Sequence, residues 1–174
     1  MTVIGLNMPK PTQPAENRVH VHDYGIMSTN DPRLIVVPSS GLQRKLHWLA
    51  AESLARIRAA CIADTGIDLL VASGHRPHRW KDRAEYEVYL IENYGSVEKG
   101  RVSVAFDSPH ETGLCVDFGS GGLSPNSKTA RKQKATLAYH WLCGHAHEHG
   151  FTSYLPEPWH WEYNCGKDKW SQGI

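Results

Sequence analysis

The chain has 174 residues, which fits one ordinary domain and excludes two full catalytic domains. Hydrophobic residues make up 40% and charged residues 21% of the sequence, so a disordered or collagen-like chain is excluded, and no apolar run reaches the roughly twenty residues that a membrane span needs. The 19 basic and 18 acidic residues give a formal charge of +1, which leaves no overall electrostatic attraction for nucleic acid or anionic lipid.

Prolines and polar residues dominate the first 40 positions, which contain one short apolar run at Leu34–Val37. We interpret residues 1–40 as an extended N-terminal wrap and residues 41–174 as the main part of one structural domain. The first residues lack both the basic region and the apolar core of a signal peptide. We therefore expect no export by a leader of this type.

Helices and short strands alternate in the rest of the predicted structure. Apolar residues at helical spacing predict a first helix from Gly41 to the break at Gly66, and residues 80–94 predict a second helix. Short apolar runs predict strands at 68–72, 102–106, 114–118, 151–155 and 159–163. Residues 127–149 predict one long helix that ends before Gly150.

The four cysteines are far apart in the sequence and include no CxxC pair. This spacing is not that of a zinc ribbon or of a thioredoxin-like redox site, and buried free thiols are expected. The cysteines are Cys61, Cys115, Cys143 and Cys165.

Histidine and carboxylate residues form two groups whose spacing suggests a site. His110 lies in a turn and Asp117 in the following strand, and the chain reverses around Gly113 between them, so both side chains can converge on one point. His160 lies in a predicted strand, where alternate side chains face opposite sides, so its ring can point into a cleft. Two imidazoles and one carboxylate form a three-ligand zinc set that leaves the fourth tetrahedral position for water, as in catalytic sites.

Three further residues have side chains suited to hydrolysis. Zinc lowers the pKa of its water to about 7, but a general base must still carry the proton to the leaving amine. Glu157, three residues before His160, is the candidate for that base. Arg76, in a predicted loop, is a candidate for binding a substrate carboxylate or a developing oxyanion, and Ser108 for adding a hydrogen bond.

Each of these signals is weak when it is taken alone. His110 and Asp117 also suit a hydrogen-bonded structural pair. His145 and His149 are spaced to chelate a metal on a helix face, but basic side chains also favour a helix C-terminus, and no metal is assigned there. Glu162 fits a residue that supports a metal ligand and an ordinary strand-surface carboxylate equally well.

Four motifs in a fixed order are far more specific than any one of these signals. The motifs are SGHR at 73–76, SPHETGLCVD at 108–117, HGF at 149–151 and EPWHW at 157–161. In this order the chain resembles the VanY-type D-alanyl-D-alanine carboxypeptidases and the related phage L-alanyl-D-glutamate endopeptidases. These are zinc peptidases that cut the stem peptides of the bacterial cell wall, and the resemblance covers residues 73–166.

The resemblance implies a small α+β domain of the hedgehog/D,D-peptidase type, in which helices pack on a mostly antiparallel sheet and a cleft over the sheet holds one Zn²⁺ ion. It also implies a role for each residue of the candidate site. The zinc ligands are His110, Asp117 and His160, the catalytic base is Glu157, and the substrate contacts are Arg76 and Ser108.

Three departures from the family pattern bear on the bond that is cut. His75 stands where an aromatic residue is common, Cys115 stands where a small residue is usual, and the segment at 151–157 is shorter than in many carboxypeptidases. A short wall there would let a chain pass through, which suits an endopeptidase, whereas a carboxypeptidase needs a closed pocket. Cleavage of D-Ala-D-Ala and of L-Ala-D-Glu bonds both remain open.

The leading function is a zinc metallopeptidase of peptidoglycan stem peptides, endolysin-like, in which a zinc-bound water attacks the peptide carbonyl with Glu157 as general base. The alternatives are a non-catalytic cell-wall-binding module and a phage structural module that keep the fold. The expected partner is a peptidoglycan peptide, without nucleic acid, and a monomer is expected. We expect synthesis in the cytoplasm and action at the cell wall after release or delivery, as for a phage enzyme.

Overall fold

A computed structural model describes residues 18–174, so positions 1–17 of the predicted wrap lie outside the described residues. The helices are α1 (Val21–Tyr24), α2 (Trp48–Thr65), α3 (Arg83–Tyr94), α4 (Val97–Arg101), α5 (Ala130–Lys134), α6 (Leu137–His145) and α7 (Lys167–Trp170). The strands are β1 (Leu34–Val37), β2 (Arg44–His47), β3 (Val71–Ser73), β4 (Cys115–Phe118), β5 (Phe151–Ser153) and β6 (His160–Tyr163). Short 3₁₀ turns occupy Pro109–Thr112, Ser120–Gly122 and Ala146–His149.

The strands form two antiparallel sheets. Strands β1 and β2 make a two-stranded sheet, and the other four make a sheet in the order β3-β4-β6-β5. Helix α2 contacts the small sheet and α6, and one core of buried apolar side chains joins these elements to β4 and β6. The predicted α+β class is confirmed. Within residues 18–174, no helix combines the length and the apolar character needed to cross a membrane.

Residues 18–40 take part in this core. They contain α1 and β1, where the sequence predicted an extended wrap, and their buried apolar side chains join the same cluster as those of α2 and β4. The buried side chains of this segment are Val19, Tyr24, Met27, Leu34 and Val37. The described part of the wrap therefore folds with the remainder of the domain.

The prediction of a helix that starts at Gly41 was wrong, because strand β2 occupies 44–47 and α2 begins only at Trp48. The polar residues Arg44 and Lys45 pair with β1, and Leu42 is exposed instead of facing the core. Leu46 fits the helical spacing of the apolar residues that follow it, although it lies in β2. Hydrophobic spacing alone therefore placed the start of the helix too early.

Three other element predictions need correction. The predicted strand at 102–106 is absent from the structure; the amides of Ser103 and Val104 both bond to the carbonyl of Gly100 and continue the last turn of α4. The helix predicted at 80–94 begins at Arg83, and the long helix at 127–149 is broken into α5, α6 and a 3₁₀ turn. Thr136 causes one break because its hydroxyl caps α6 at the amide of Tyr139.

The strands predicted at 68–72, 114–118, 151–155 and 159–163 are confirmed as β3, β4, β5 and β6, with ends shifted by up to three residues. All four cysteines are free thiols, as predicted, and all except Cys165 are buried. These strands form the sheet that carries the candidate site.

His47 joins three parts of the fold at the start of α2. Its Nε2 donates to the carbonyl of Trp170 at 3.0 Å, and its Nδ1 accepts from the amide of Leu49 at 3.3 Å. The ring therefore caps the helix only when it is neutral, because a protonated Nδ1 has no lone pair to offer. Burial lowers the pKa of His47 below its ordinary value of 6.5, which favours this neutral form.

We expect the contribution of His47 to stability to depend on pH. Because the folded pKa is depressed, this contribution is fully present above pH 6.5 and is lost as the pH falls from there toward the folded pKa, with a slope of at most about 1.4 kcal/mol per pH unit. His47→Gln keeps a donor for Trp170 and does not titrate. In urea unfolding from pH 7.5 to 5, the stability advantage of the parent chain over this variant should shrink; a constant difference would contradict the assignment.

Candidate metal centre

A 3₁₀ turn between α4 and β4 positions His110. The carbonyl of Ser108 accepts from the amide of Glu111 at 2.9 Å, and the Glu111 carboxylate accepts from the Ser108 amide at 3.1 Å, which closes the turn. Gly113 ends it with φ +72°, and a Cβ there would lie 3.0 Å from the amide nitrogen of His47. Glycine is thus required for the reversal that brings His110 back over the strand carrying Asp117.

Strand pairing brings Asp117 and His160 together. The two residues are direct partners in the antiparallel pair of β4 and β6, so their side chains project from the same face of the sheet at neighbouring positions. Both side chains, like that of His110, are buried. The three residues predicted as ligands therefore converge, as the sequence predicted.

The converging atoms form a nearly equilateral triangle. His110 Nε2 lies 3.1 Å from His160 Nδ1 and 3.2 Å from Asp117 Oδ1, and His160 Nδ1 lies 3.1 Å from Asp117 Oδ1. In a tetrahedral zinc site with bonds of about 2.0–2.2 Å, ligand atoms lie about 3.3–3.6 Å apart. The triangle is within a few tenths of an ångström of that spacing, and its nitrogen and oxygen atoms are those that zinc prefers.

The outer nitrogen of each ring fixes its orientation. His110 Nδ1 donates to the carbonyl of Gly74 at 2.7 Å, and His160 Nε2 donates to Glu162 Oε1 at 2.9 Å. When both rings are neutral, the inner nitrogens therefore carry lone pairs that face each other and the Asp117 carboxylate. Such an arrangement is unfavourable without a cation among the three atoms, so the cluster fits a bound metal ion.

The metal-free electrostatics follow the same geometry. Burial lowers the pKa of His110. Burial alone would raise the pKa of Asp117, but its interactions with His110 and His160 bring it well below its usual range. Burial likewise opposes the charge on His160, whereas hydrogen bonds to Asp117, Cys115 and Glu162 raise its pKa well above 6.5. Without metal, a proton on His160 offsets the buried negative charge, and a bound cation takes over that role.

The other predicted site residues line the same open cleft, which has a volume of about 870 Å³. Arg76, Ser108 and Glu157 lie along it with His110 and His160. Arg76 Nη1 lies 3.8 Å from Asp117 Oδ2, and its side chain is 53% exposed, so the guanidinium remains available to a ligand. Glu157 is half-buried in the loop before β6, and among the described residues no converging group of ligand atoms includes it.

Two residues of the candidate site were missed or left undecided by the sequence. Glu162 is buried and bonded to His160, so it supports the ring and is not a surface carboxylate. Arg18, which lies in the predicted wrap, donates a hydrogen bond to Glu162. No sequence pattern in that segment indicated a site. His145 instead stacks on Trp141 and pairs with Glu148, and within residues 18–174 no cluster of ligand atoms contains it.

Cys115 and His75, two departures from the family pattern, occupy ordinary structural positions. Cys115 lies beside His160 and Glu162, and burial raises the pKa of its thiol to about 11, so it stays protonated near neutral pH. His75 Nε2 donates to the carbonyl of Met27 at 3.0 Å and so ties the loop after β3 to the N-terminal segment.

Comparison with known proteins defines the class of this site. The sequence profile of the VanY family, described as D-alanyl-D-alanine carboxypeptidase, matches residues 43–167. The match covers most of the chain, and the protein therefore belongs to this carboxypeptidase family. The predicted family and the predicted enzyme class, a peptidase, are both confirmed.

Solved structures show the same fold. One, described as VanYB in complex with D-alanine-D-alanine, is 22% identical, with a TM-score of 0.52 over 84% of this chain and 85% of that chain. Another is a point mutant of the vancomycin resistance D,D-pentapeptidase VanY from a VanB-type resistance cassette in complex with Zn(II). It is 21% identical, with a TM-score of 0.50 over 86% of this chain and 90% of that chain. A search of curated proteins finds no match.

We expect Gly74→Ala to destabilise the protein at the backbone that supports His110. A Cβ at this position would lie 2.5 Å from the carbonyl oxygen of Lys45, so the backbone that holds His110 must shift. Overpacking of this kind costs about 1–3 kcal/mol. Gly173→Ala, which meets nothing within 4 Å, is the matched control. Urea unfolding should separate the two variants by at least about 1 kcal/mol, and equal stability would argue against close packing here.

Proposed function

We propose that the protein is a zinc metallopeptidase that hydrolyses peptidoglycan stem peptides. The triangle of His110 Nε2, Asp117 Oδ1 and His160 Nδ1, with sides of 3.1–3.2 Å, carries this proposal. It lies on the wall of an open cleft in a member of a carboxypeptidase family, and a structure with the same fold is described in complex with Zn(II). The substrate class follows from the family.

In this proposal His110, Asp117 and His160 hold one zinc ion. Zinc, when bound, polarises the scissile carbonyl and lowers the pKa of water enough to supply a nucleophile near neutral pH. The protein contributes a rigid ligand set, because the carbonyl of Gly74 and the carboxylate of Glu162 fix both imidazole rings before metal arrives. Little reorganisation is then needed on binding.

Glu157 is the general base of the proposed reaction. Its amide donates to the carbonyl of Tyr154, and its carbonyl accepts from the amide of His160. These two turns hold the backbone of Glu157 on the cleft wall near His160. It takes a proton from the attacking water as the oxygen–carbon bond forms, and delivers it to the amine nitrogen as the carbon–nitrogen bond breaks.

Arg76 and Ser108 orient the substrate in this scheme. The exposed guanidinium of Arg76 offers paired donors to a substrate carboxylate or to the developing oxyanion, and its Nη1 lies 3.8 Å from Asp117 Oδ2. Ser108 lines the same cleft and adds a hydrogen bond. The exposed Arg76 side chain can therefore adjust its position to a bound substrate.

The family match favours D-Ala-D-Ala carboxypeptidase activity over L-Ala-D-Glu endopeptidase activity. One structure of the same fold is described with D-alanine-D-alanine bound, which supports the same choice. With this substrate, we propose that the protein acts at the bacterial cell wall. An endolysin-like role would require cleavage within the stem peptide instead.

Mass spectrometry of defined muropeptides tests the function. We expect the zinc-loaded protein to remove one terminal alanine from peptides that end in D-Ala-D-Ala, and the protein treated with chelator to leave them intact. Separation of the L-alanine side from the D-glutamate side would instead establish an endopeptidase. Absence of any zinc-dependent cleavage would overturn the proposal in favour of a non-catalytic cell-wall-binding module.

Replacement of the proposed base gives a second test. Glu157→Gln should still bind one equivalent of zinc while kcat falls about 10²–10⁴-fold, because it removes the proton carrier and leaves the three ligands in place. Glu148→Gln, at the exposed end of the 3₁₀ turn after α6, is the matched control and should keep normal kcat. Zinc content by elemental mass spectrometry and turnover of D-Ala-D-Ala peptides decide the result. A Glu157 variant that loses its zinc would contradict the assignment.

A further inference from the structure

The N-terminal segment holds the carboxylate that supports a proposed zinc ligand. Glu162 Oε1, which accepts from His160 Nε2 at 2.9 Å, also accepts from Arg18 Nε at 2.8 Å and lies 2.8 Å from Arg18 Nη2. Its other oxygen, Oε2, accepts from the backbone amide of Val19 at 2.7 Å. Two neighbouring residues of the chain thus hold both oxygens of a buried carboxylate 143 and 144 positions away.

Arg18 lies between this buried carboxylate and the cleft. Its guanidinium carbon lies 3.8 Å from the centre of the Tyr154 ring, and that ring packs edge-on against His160 with ring centres 5.9 Å apart. The Arg18 side chain is 27% exposed and lines the cleft, whereas the next residue, Val19, is buried in the core. The arginine is therefore anchored on both sides and is not a freely moving surface residue.

A buried carboxylate needs this kind of support to act on a histidine. Removal of an ion from water is costly unless charge and hydrogen bonds compensate, so Glu162 without Arg18 would lose its fixed orientation or draw in water. The orientation of Glu162 in turn fixes which nitrogen of His160 carries the proton and where the Nδ1 lone pair points. Loss of such a support to a ligating histidine commonly weakens metal binding about 10–100-fold.

We propose that Arg18 is a positioning residue of the metal centre, acting on His160 through Glu162. The inference rests on the proposed zinc site. It assigns a role in metal binding to Arg18, which lies outside the motifs at 73–161. Arg18 contacts Glu162 and not the ligand His160 itself. We therefore expect its removal to weaken zinc binding about tenfold, at the lower end of that range.

Zinc affinity, measured by competition with a chromophoric chelator, tests the proposal in the 174-residue chain. We expect Arg18→Ala to raise the zinc dissociation constant about tenfold, and Arg18→Gln, which keeps one donor, to raise it less. The matched control is Arg79→Ala, because Arg79 lines the same cleft but stacks on Trp80 and Tyr89, at 4.5 and 4.2 Å, and not on the metal-binding strands. It should bind zinc like the parent chain.

Two further measurements separate positioning from loss of structure. Thermal unfolding of the metal-free variants reports whether the fold persists; if Arg18→Ala does not fold, Arg18→Gln decides alone. The Co²⁺ absorption spectrum reports the ligand geometry, and we expect its visible bands to change in the Arg18 variants but not in Arg79→Ala. A folded Arg18→Gln with the parent zinc affinity and the parent Co²⁺ spectrum would overturn the inference.

A double-mutant cycle tests the route through Glu162. If Arg18 acts through that carboxylate, the combined variant Arg18→Ala, Glu162→Gln should weaken zinc binding by clearly less than the product of the two single effects. Full multiplicativity would overturn the inference while leaving the proposed function intact. Failure of the parent chain to bind zinc would overturn both, and so the two failures are distinguishable.

Discussion

The cross-strand pair of Asp117 and His160 is the constraint on which the candidate site depends. Antiparallel register places the two side chains opposite each other on one face of the sheet, and a one-residue slip would turn one of them to the other face. The buried apolar residues that alternate with them, Val116 and Trp161, hold this register because they pack in the core. The packing of the domain and the geometry of the candidate metal centre are therefore fixed by the same strand pairing.

Contacts with the backbone and with buried side chains orient the other groups around this pair. His110 comes from a turn that only Gly113 can close, and the carbonyl of Gly74, on the neighbouring β3 side, orients its ring. Glu162 orients the other ring from the same strand as His160. Exposed side chains with room to move, above all Arg76, lie on the cleft side. This division places rigid groups at the candidate metal centre and adaptable groups where the proposed substrate would bind.

The sequence predicted most of this site because its motifs are local. His110 and Asp117 are separated by one turn and His160 follows Glu157 by three residues, so spacing and family resemblance place them together without knowledge of the whole fold. The contact of Arg18 with Glu162 was not predictable in this way, since it joins residues 144 positions apart. The strand at 44–47 was missed for a related reason: its pairing partner β1, and not its own apolar pattern, makes it a strand.

The order of the ligands along the chain has a consequence for synthesis of the protein. His110 and Asp117 leave the ribosome together, but His160 and Glu162 follow more than 40 residues later, and the partner of Glu162, Arg18, is among the earliest described residues to emerge. In the proposed site, a nascent chain cannot present all three ligands to a metal ion before β6 has been made, because His160 is the third of them. The proposed site therefore forms only after residue 160 has joined the sheet beside Asp117.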